Sequence, residues 1–185
     1  MTTYISILRG INVSGHNSIK MEEMRHMYVE LGYTCIQSYI QSGNVIFKSD
    51  IPDSSLLERT IHNKILESVG WSIPVLVLTI QELKRSLEYN PFIKNQLKDP
   101  AFMHLTFLSG IPDQDLVEKI HPGFYLPDEF IISGKIIYLY CPTGYGNTKL
   151  SNSFFEKKLS LTATTRNLNT SKVLLSLSLK EEDTI

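Results

Sequence analysis

The sequence predicts an α+β fold made of two copies of one unit, each with the element order β-α-β-β-α-β. The chain has 185 residues, of which 42% are hydrophobic, and this is enough for one large core or two small ones. Residues 5–12 and 105–112 share the pattern apolar, hydroxyl, apolar, Leu, polar, Gly, Ile. Residues 40–47 and 131–138 both contain a strand, a Ser-Gly turn and a second strand. Since the two matches occur in the same order, we predict a tandem duplication of the ferredoxin-like, or split βαβ, unit with antiparallel sheets.

The first copy accounts for residues 1–80. Its strands are short runs rich in β-branched and aromatic residues, and its helices carry apolar residues three and four positions apart. The helices end at Gly32 and Gly70, and the second begins after Pro52-Asp53 at two Ser residues that can cap it. The predicted elements are Thr3–Arg9, Met21–Leu31, Thr34–Gln41, Asn44–Lys48, Ser54–Val69 and Pro74–Leu78.

The second copy occupies residues 101–185 and follows a helix and linker over residues 81–100. The joining helix is predicted at Gln81–Leu87, and Tyr89–Pro100 is predicted to be a linker because it contains two prolines. An extra C-terminal helix is expected over Thr170–Leu179, starting at the cap-like residues 169–171. The other elements are Phe102–Leu108, Asp113–Ile120, Glu129–Ser133, Ile136–Cys141, Leu150–Leu159 and a short strand near Leu161–Thr164.

The balance of charges excludes two classes of protein and conceals a cationic segment. There are 18 Lys and Arg against 19 Asp and Glu, which gives a formal net charge of −1. This excludes a globally basic nucleic-acid binder and an acidic solubilising tail protein. Residues 135–180 nevertheless contain 7 basic residues and 1 acidic residue. The C-terminal part of the chain is therefore cationic, whereas the middle of the chain and its last five residues are acidic.

The N-terminal residues and the two cysteines predict a cytoplasmic protein without disulfides. The first residues lack the basic segment followed by an apolar segment that marks a secretory signal. No apolar run approaches the about 20 residues of a transmembrane helix, so we expect no membrane partner. Cys35 and Cys141 lie in predicted strands and form no metal motif, so we expect two reduced, partly buried core thiols.

A polar loop joins the first predicted strand to the first helix. It runs from Arg9 to Lys20, contains Asn12 and His16, and has no Asp or Glu. In a split βαβ unit, the end of strand one lies at the same sheet edge as the turn between strands two and three. We therefore expect the loop to lie near the polar residues of that turn, Gln41, Ser42 and Asn44. Two interpretations remain open: a pocket for an anionic or polar ligand, and a loop whose polar groups satisfy its own backbone.

Two further polar segments lie in the cationic part of the chain. Residues 142–150 join a strand to a helix through two glycines and contain Lys149, but they match neither a Walker A loop nor a dinucleotide motif. Residues 164–171 precede the last helix and contain Arg166, Asn167 and Asn169. Each segment can hold a phosphate or carboxylate at a helix N-terminus, or can be an ordinary loop that caps the helix.

The absence of carboxylates limits the chemistry of these segments. Without Asp or Glu they do not favour a Mg²⁺ site, a two-carboxylate glycosidase or a carboxylate-oriented triad. The five histidines show no zinc spacing, so we expect neither a metal nor a cofactor. Only His16 lies in a polar cluster, which makes it the candidate general acid–base residue. Aromatic residues on the strands, such as Phe47 and Tyr138, can pack in a core or stack RNA bases, and the lack of an RNP1-like motif favours the core.

The polar segments resemble a bacterial family of uncharacterised proteins, the domain-of-unknown-function family numbered 1697. The resemblance rests on residues 9–17, 39–45, 144–150 and 164–170, which occur in the order of the family's motifs. It implies a tandem ferredoxin-like fold and no established activity. The chain departs from the family at Ser14 and Leu168, where Gly and Trp are usual. The motif residues carried over are Arg9, Asn12, Gln41, Ser42, Asn44, Lys149, Arg166, Asn167 and Asn169.

Three functions are consistent with the sequence. The first is a binding protein for a phosphorylated or otherwise anionic small molecule, which Arg9, Lys149 and Arg166 would contact. Lys20 is a further candidate ligand-binding residue in this hypothesis. The second is a metal-independent transferase or hydrolase that acts on such a substrate, with His16 as the acid–base group. The third, ranked below these, is binding of RNA or single-stranded nucleic acid by the sheet face and the cationic segment. The sequence carries no signal about a protein partner or the oligomeric state.

Overall fold

The first half of the protein is an α+β unit with one four-stranded antiparallel sheet. The computed structural model describes residues 1–12 and 18–182. The elements of this half are β1 (Thr2–Leu8), α1 (Met21–Glu30), β2 (Thr34–Tyr39), β3 (Asn44–Ser49), α2 (Ser54–Val69) and β4 (Val75–Thr79). The sheet has the order β2-β3-β1-β4, so β1 and β2 run in the same direction with β3 returning between them.

The second half repeats this arrangement after α3 (Ile80–Glu88). Its elements are β5 (Met103–Leu108), α4 (Gln114–Glu118), β6 (Glu129–Ser133), β7 (Ile136–Tyr140), α5 (Asn152–Leu159) and β8 (Ala163–Asn167). The sheet order is β6-β7-β5-β8, the same permutation as in the first half. A last helix, α6 (Leu168–Glu182), follows directly. The predicted fold class, a tandem duplication of ferredoxin-like units with a C-terminal helix, is confirmed.

Packing divides the chain into two compact units. The first unit contains Met1–Lys84 together with α6 from Val173 onward, and the second contains Arg85–Lys172. The division that we made from the sequence placed residues 81–84 in the linker and the whole C-terminal helix in the second copy. The names first unit and second unit refer below to the groups defined by packing.

The core of the first unit forms where α1 and α2 pack on one face of the sheet. Met24 and Tyr28 of α1 and Leu57 and Ile61 of α2 are all fully buried together with Phe47 of β3. The two residues of each helix are four positions apart, a spacing that places them on one face of the helix. Burial of an aliphatic or aromatic side chain contributes roughly 1.5–3 kcal/mol each, so the apolar stripe of each helix fixes its position on the sheet.

The core of the second unit is a chain of aromatic rings under α5. The rings of Phe130 and Phe155 pack edge to face with centroids 5.8 Å apart. Phe154 continues the chain, since its ring lies 5.1 Å from Phe155 and 5.2 Å from Tyr125. This cluster also buries Leu139 of β7. It therefore joins α5 to β6 and β7 and positions the loop that precedes the helix.

One predicted helix cap and one predicted helix start are wrong. The side chain of Asp53 caps α2 by accepting a hydrogen bond from Ser55 N at 2.9 Å, so the cap is not a Ser. The predicted loop at residues 164–171 does not exist, because β8 continues to Asn167 and α6 begins at Leu168. Asn167 Oδ1 accepts a hydrogen bond from Thr170 N at 2.7 Å, which is the geometry of an N-cap.

The two cysteines have different environments, so the prediction of two core thiols is wrong for Cys35. Cys35 is exposed and has a left-handed backbone with φ of 50°. It lies where the pairing of β2 with β3 shifts between Thr34 and Gln37, and such a bulge disturbs the alternation of buried and exposed residues. Cys141 is fully buried just after β7, and burial is the main cause that raises the pKa of its thiol to about 11.

None of the helices within residues 1–12 and 18–182 is long and apolar enough to span a bilayer.

Candidate functional site

The end of β1 and the β2–β3 turn meet at one edge of the first sheet. Leu8 N donates to Gly43 O at 2.8 Å, and Arg9 N donates to Pro74 O at 3.0 Å. Gly43 has a φ of 76°, and a Cβ atom built on it would lie only 2.7 Å from Ile11 Cδ1. The turn and the loop are therefore interlocked, and only a glycine allows this approach. We call residues 8–12 and 40–44 the strand-exit edge.

Asn12 ties the loop to the turn and closes the loop on itself. Its Nδ2 donates to Gln41 O at 2.8 Å and to Ile19 O at 2.9 Å, and its Oδ1 accepts from Ile19 N at 2.9 Å. Its backbone is left-handed with φ of 54°, a conformation that Asn tolerates better than most residues. Because both amide hydrogens are used by backbone carbonyls, Asn12 shapes the loop and keeps only one acceptor lone pair for a ligand.

Asn44 shapes the β2–β3 turn in a similar way. Its side chain is fully buried, and Nδ2 donates to Tyr39 O and to Ser42 Oγ, each at 3.1 Å. The side chain of Gln41 is exposed, and Ser42 is half-buried. The turn therefore presents Gln41 and Ser42 to the surroundings, while Asn44 stabilises it from inside.

Left-handed backbone is concentrated at the strand-exit edge. Gly10, Asn12, Ile40 and Gly43 have φ values of 71°, 54°, 51° and 76°. The corresponding edge of the second unit, residues 108–112 and 131–135, has only Gly134 in this region of φ. A left-handed non-glycine residue costs about 1–2 kcal/mol, and such strain clusters at ligand sites. Arg9, which is half-buried, is the cationic residue of this edge, and Lys20, which is exposed, lies directly before α1.

His16, our candidate acid–base residue, lies outside the residues that the structure describes. The acid–base role of His16 stays a prediction. The same holds for the expectation that its loop contributes directly to a ligand pocket.

A second cluster forms in the second sheet, at the end where β5 starts and β7 and β8 finish. In the first sheet, the strand-exit edge lies instead at the end where the first strand finishes. Tyr145, on a short 3-10 turn after β7, stacks on His104 of β5 with ring centroids 4.8 Å apart and planes at 25°. The Tyr145 phenol also interacts with the half-buried Arg166 of β8, whose Nη1 donates to Thr165 O at 2.9 Å. We call His104, Tyr145 and Arg166 the Tyr145 cluster.

Burial controls the electrostatics of the Tyr145 cluster. It lowers the pKa of the Arg166 guanidinium to about 10, and the nearby Tyr145 phenol partly opposes this. Burial also lowers the pKa of His104, although the hydrogen bond of its Nδ1 to Phe102 O acts in the opposite direction. Burial therefore favours the neutral form of His104, and the charge of Arg166 is less well solvated than that of a surface arginine.

The sequence did not indicate His104 and Tyr145 as site residues. His104 is 41 positions before Tyr145, and only the antiparallel pairing of β5 with β7 brings them together. The alternation of His104 with Leu105 on β5 was an available signal, because it places His104 on the helix-facing side with Thr106 and Leu108.

The glycine-rich loop after β7 contains no Asp or Glu in its own sequence, but the fold places a carboxylate against it. The expected carboxylate-free surroundings of this loop are therefore corrected. Thr148 Oγ1 donates to Asp128 Oδ2 at 2.6 Å. Asp128 is buried, and its Oδ1 has no hydrogen-bond partner among the described residues. Lys149 is exposed beside this loop. A carboxyl group at this position opposes the binding of an anion there, so the structure does not favour Lys149 as an anion contact.

The remaining predicted residues lie at the start of α6. Asn167 is used as the N-cap, and Asn169 is exposed in the first turn of the helix. Leu168, where the resembling family usually has Trp, is buried. No group of three or more His, Cys, Asp or Glu side chains that could hold a metal ion occurs in the described part of the chain.

Comparison with protein families decides the relationship of the chain. The family model described as "Protein of unknown function (DUF1697)" matches residues 1–138. The chain belongs to the DUF1697 family. The match contains the whole strand-exit edge and ends within β7, so Lys149, Arg166, Asn167 and Asn169 lie beyond it.

A solved structure shows the same fold as this DUF1697 protein. The conserved bacterial protein SP0830 from Streptococcus pneumoniae is 24% identical, with a TM-score of 0.73. The alignment covers 96% of the present chain and 98% of that protein. No curated protein matches the sequence.

Proposed function

We propose that this DUF1697 protein binds a phosphorylated or otherwise anionic small molecule at the strand-exit edge. The concentration of left-handed backbone at this edge is the observation on which the proposal depends. Asn12 and Ile40 are left-handed there, and Ile40, a β-branched residue, is strained by this conformation, whereas the corresponding edge of the second unit has a single left-handed glycine. The two units repeat the same topology, but only the first retains strained backbone at this edge. Because such strain clusters at functional sites, it favours a ligand site at this edge.

The charges at the edge favour an anion. Arg9 and Lys20 are the two charged residues of the loop, and residues 33–47 contain no charged side chain at all. A guanidinium forms paired hydrogen bonds with phosphate or carboxylate, and these are about twice as strong as hydrogen bonds between neutral groups. Arg9 is thus the principal charged contact in this proposal, with Gln41 and Ser42 supplying neutral donors.

Arg166 of the Tyr145 cluster is a second candidate anion contact. Its pKa is lowered by burial, so a bound anion would recover part of the solvation that the guanidinium has lost. The stacked Tyr145 and His104 rings give this cluster a rigid frame. Lys149 has a smaller role in the proposal, because Asp128 lies against its loop.

The nucleic-acid alternative receives less support. Phe47 and Tyr138, two of the strand aromatics that would have to stack bases, are buried with exposures of 0% and 4%. Stacking on RNA requires an open aromatic face. The enzyme alternative depends on His16 and stays a prediction that full turnover by a His16→Ala variant would exclude.

The proposal is tested by ligand-induced thermal shifts. Inorganic phosphate, a sugar phosphate and a nucleoside monophosphate are the probes, and the unphosphorylated sugar is the matched negative control. A ligand at 100 times its dissociation constant adds about 2.7 kcal/mol of stability, which is readily measured. Native mass spectrometry of the freshly purified protein identifies any ligand that copurifies with it.

Two single variants locate the site. Replacement of Arg9 by Ala should weaken binding about 10- to 100-fold, because a hydrogen bond to a charged group contributes about 1.5–3 kcal/mol. Arg59→Ala, an exposed arginine on α2, is the matched control and should leave binding unchanged. A shift that is equally large for the unphosphorylated sugar, or that survives in Arg9→Ala, contradicts the proposal.

A double-mutant cycle of Arg9→Ala and Arg166→Ala tests whether the two arginines affect binding independently. Effects of groups that contact the same ligand are coupled, whereas effects of independent sites add within about 0.5 kcal/mol.

A further inference from the structure

The two sheets have four edge strands, and an edge strand presents backbone groups that can pair with another chain. Which residues face outward follows from the alternation of antiparallel hydrogen bonds. In the second sheet, Cys141 N bonds to Phe102 O and Leu108 N bonds to Lys135 O, so odd-numbered residues of β7 pair with β5. The even-numbered residues of β7 then pair with Glu129, Ile131 and Ser133 of β6. The backbone groups of Phe130 and Ile132 therefore point away from the sheet.

Side chains block the edges formed by β4 and β8. Glu58 Oε1 accepts from Val77 N of β4 at 2.9 Å, and Glu156 Oε1 accepts from Ala163 N of β8 at 3.0 Å. Glu58 and Glu156 are both the fifth residue of their helices, α2 and α5, so the duplicated units share this device. These edges are therefore closed to a strand from outside.

The edge formed by β2 is protected by the bulge at Cys35. A bulge with left-handed backbone twists the strand and interrupts the regular row of donors and acceptors. This is one of the ways in which proteins keep edge strands from pairing.

The edge formed by β6 has none of these devices. Its pairing with β7 is regular over all five residues, and it contains no proline, no lysine and no left-handed residue. Among the described residues, the outward backbone groups of Phe130 and Ile132 have no hydrogen-bond partner. Exposed apolar residues accompany this edge, since Ile131, Leu126 and Phe124 are 42%, 69% and 77% exposed.

We propose that β6 is a docking edge for a second copy of this chain, which pairs its own β6 antiparallel across a two-fold axis at Ile131. The second sheet of one copy and the second sheet of the other copy, four strands each, would then form one continuous sheet of eight strands. The backbone N–H and C=O of Phe130 pair with those of Ile132 in the second copy, and those of Ile132 pair with Phe130 of the second copy. Each of these outward groups thereby gains a hydrogen-bond partner. This proposal is independent of the anion-binding proposal.

The sequence of β6 fits its own copy in this register. Phe130 lies opposite Ile132 on one face and Ile131 lies opposite itself on the other, and such aromatic and β-branched pairs stabilise cross-strand contacts. Glu129, which is ion-paired with Lys98, lies opposite Ser133, so like charges do not meet. Each of the two copies contributes the same surface patch to this interface, as two-fold symmetry requires.

Sedimentation velocity of the full chain over a dilution series tests the proposal. The expected result is a reversible species with twice the chain mass of 21.1 kDa. Ile131→Lys and Ile131→Glu each place like charges opposite each other and should weaken the dimer by more than about tenfold. An equimolar mixture of the two variants should restore it, because Lys then faces Glu.

The controls keep the result interpretable. Leu66→Lys on α2 replaces a residue of matched exposure, 41%, and should leave the dimer unchanged. Ile131 is exposed in the single chain, so its variants should keep the circular dichroism spectrum and thermal midpoint of the unmodified protein. A chain that stays monomeric up to about 1 mM, where only about 4 kcal/mol of association is needed, overturns the proposal. So does a dimer that Ile131→Lys does not weaken, or one that the mixture does not restore; either result would favour a different interface or an unrelated extended peptide as the partner.

Discussion

Gly43→Ala is the substitution that best tests the architecture of the strand-exit edge. Two effects act against an Ala at this position. A left-handed residue with a Cβ atom costs about 1–2 kcal/mol, which the smaller entropy of the unfolded chain reduces by about 0.4–1 kcal/mol. In addition, the new Cβ would lie 2.7 Å and 2.8 Å from two side-chain atoms of Ile11 and 2.9 Å from Leu8 Cβ. Relief of such overpacking costs typically about 1–3 kcal/mol. The expected total is about 2–4 kcal/mol.

Gly134→Ala is the matched control that the duplication supplies. Gly134 occupies the corresponding turn of the second unit and is also left-handed, with φ of 58°, but no atom lies within 4 Å of its Cβ position. It should therefore lose only the backbone contribution, about 1 kcal/mol. The difference between the two variants, about 1–3 kcal/mol, isolates the contact of the turn with Ile11 and Leu8.

Urea denaturation measures this difference. The single tryptophan, Trp71, packs against the core of the first unit, so its fluorescence reports the unfolding of that unit. Circular dichroism reports both units. With a slope of about 2 kcal/mol per molar urea, an additional 2 kcal/mol lowers the midpoint by about 1 M. If the free energies of unfolding of the two variants decrease by the same amount within about 0.5 kcal/mol, the contact of the turn with Ile11 and Leu8 does not contribute to stability.

Three further predictions concern Asn12, the two cysteines and His104. Asn12→Gly suits the left-handed backbone but removes three hydrogen bonds, so it should destabilise the protein by about 2 kcal/mol. It should also increase amide hydrogen exchange at Ile19, and unchanged exchange there would contradict the role of Asn12 in holding the loop. Cys35 should react with a thiol reagent in the folded protein, whereas Cys141, buried with a pKa of about 11, should react only after unfolding, as peptide mass spectrometry would show. Burial lowers the pKa of His104 below the value near 6.5 that it has in the unfolded chain, so the unfolded state binds more protons and the free energy of unfolding should decrease as the pH falls below about 6.5. His104→Phe, which keeps a ring on Tyr145, should remove that part of the pH dependence in urea titrations.

The fold followed from the sequence because its signals are local and repeated. The apolar stripe of α2, bounded by Pro52-Asp53 and Gly70, gave its bounds of Ser54–Val69 without error. The boundary between β8 and α6 was less accessible, since Thr164 and Thr165 favour a strand as much as a turn. The capping role of Asn167, visible only in the structure, decides where that strand ends.

The candidate site was only partly visible in the sequence. The approach of Asn12 to Gln41 followed from topology alone, because β1 and β2 run in the same direction in a split βαβ unit. The contact of Asp128 with Thr148 did not, since 20 residues and two strands separate them and Asp128 belongs to no motif. The alternation of His104 with Leu105 indicates the face of the sheet on which His104 lies, but only the register of the strands shows that its ring meets Tyr145.

The position of Asn12 has a consequence for how this protein can change. One side chain binds both the carbonyl and the amide of Ile19, so the chain leaves and returns to the same point. Asn12 also binds Gln41 O, so one side chain holds together the end of β1, the β2–β3 turn and the start of α1. A substitution at Asn12 would therefore disturb all three segments at once, whereas a substitution of the exposed Gln41 side chain would change only the surface of the turn.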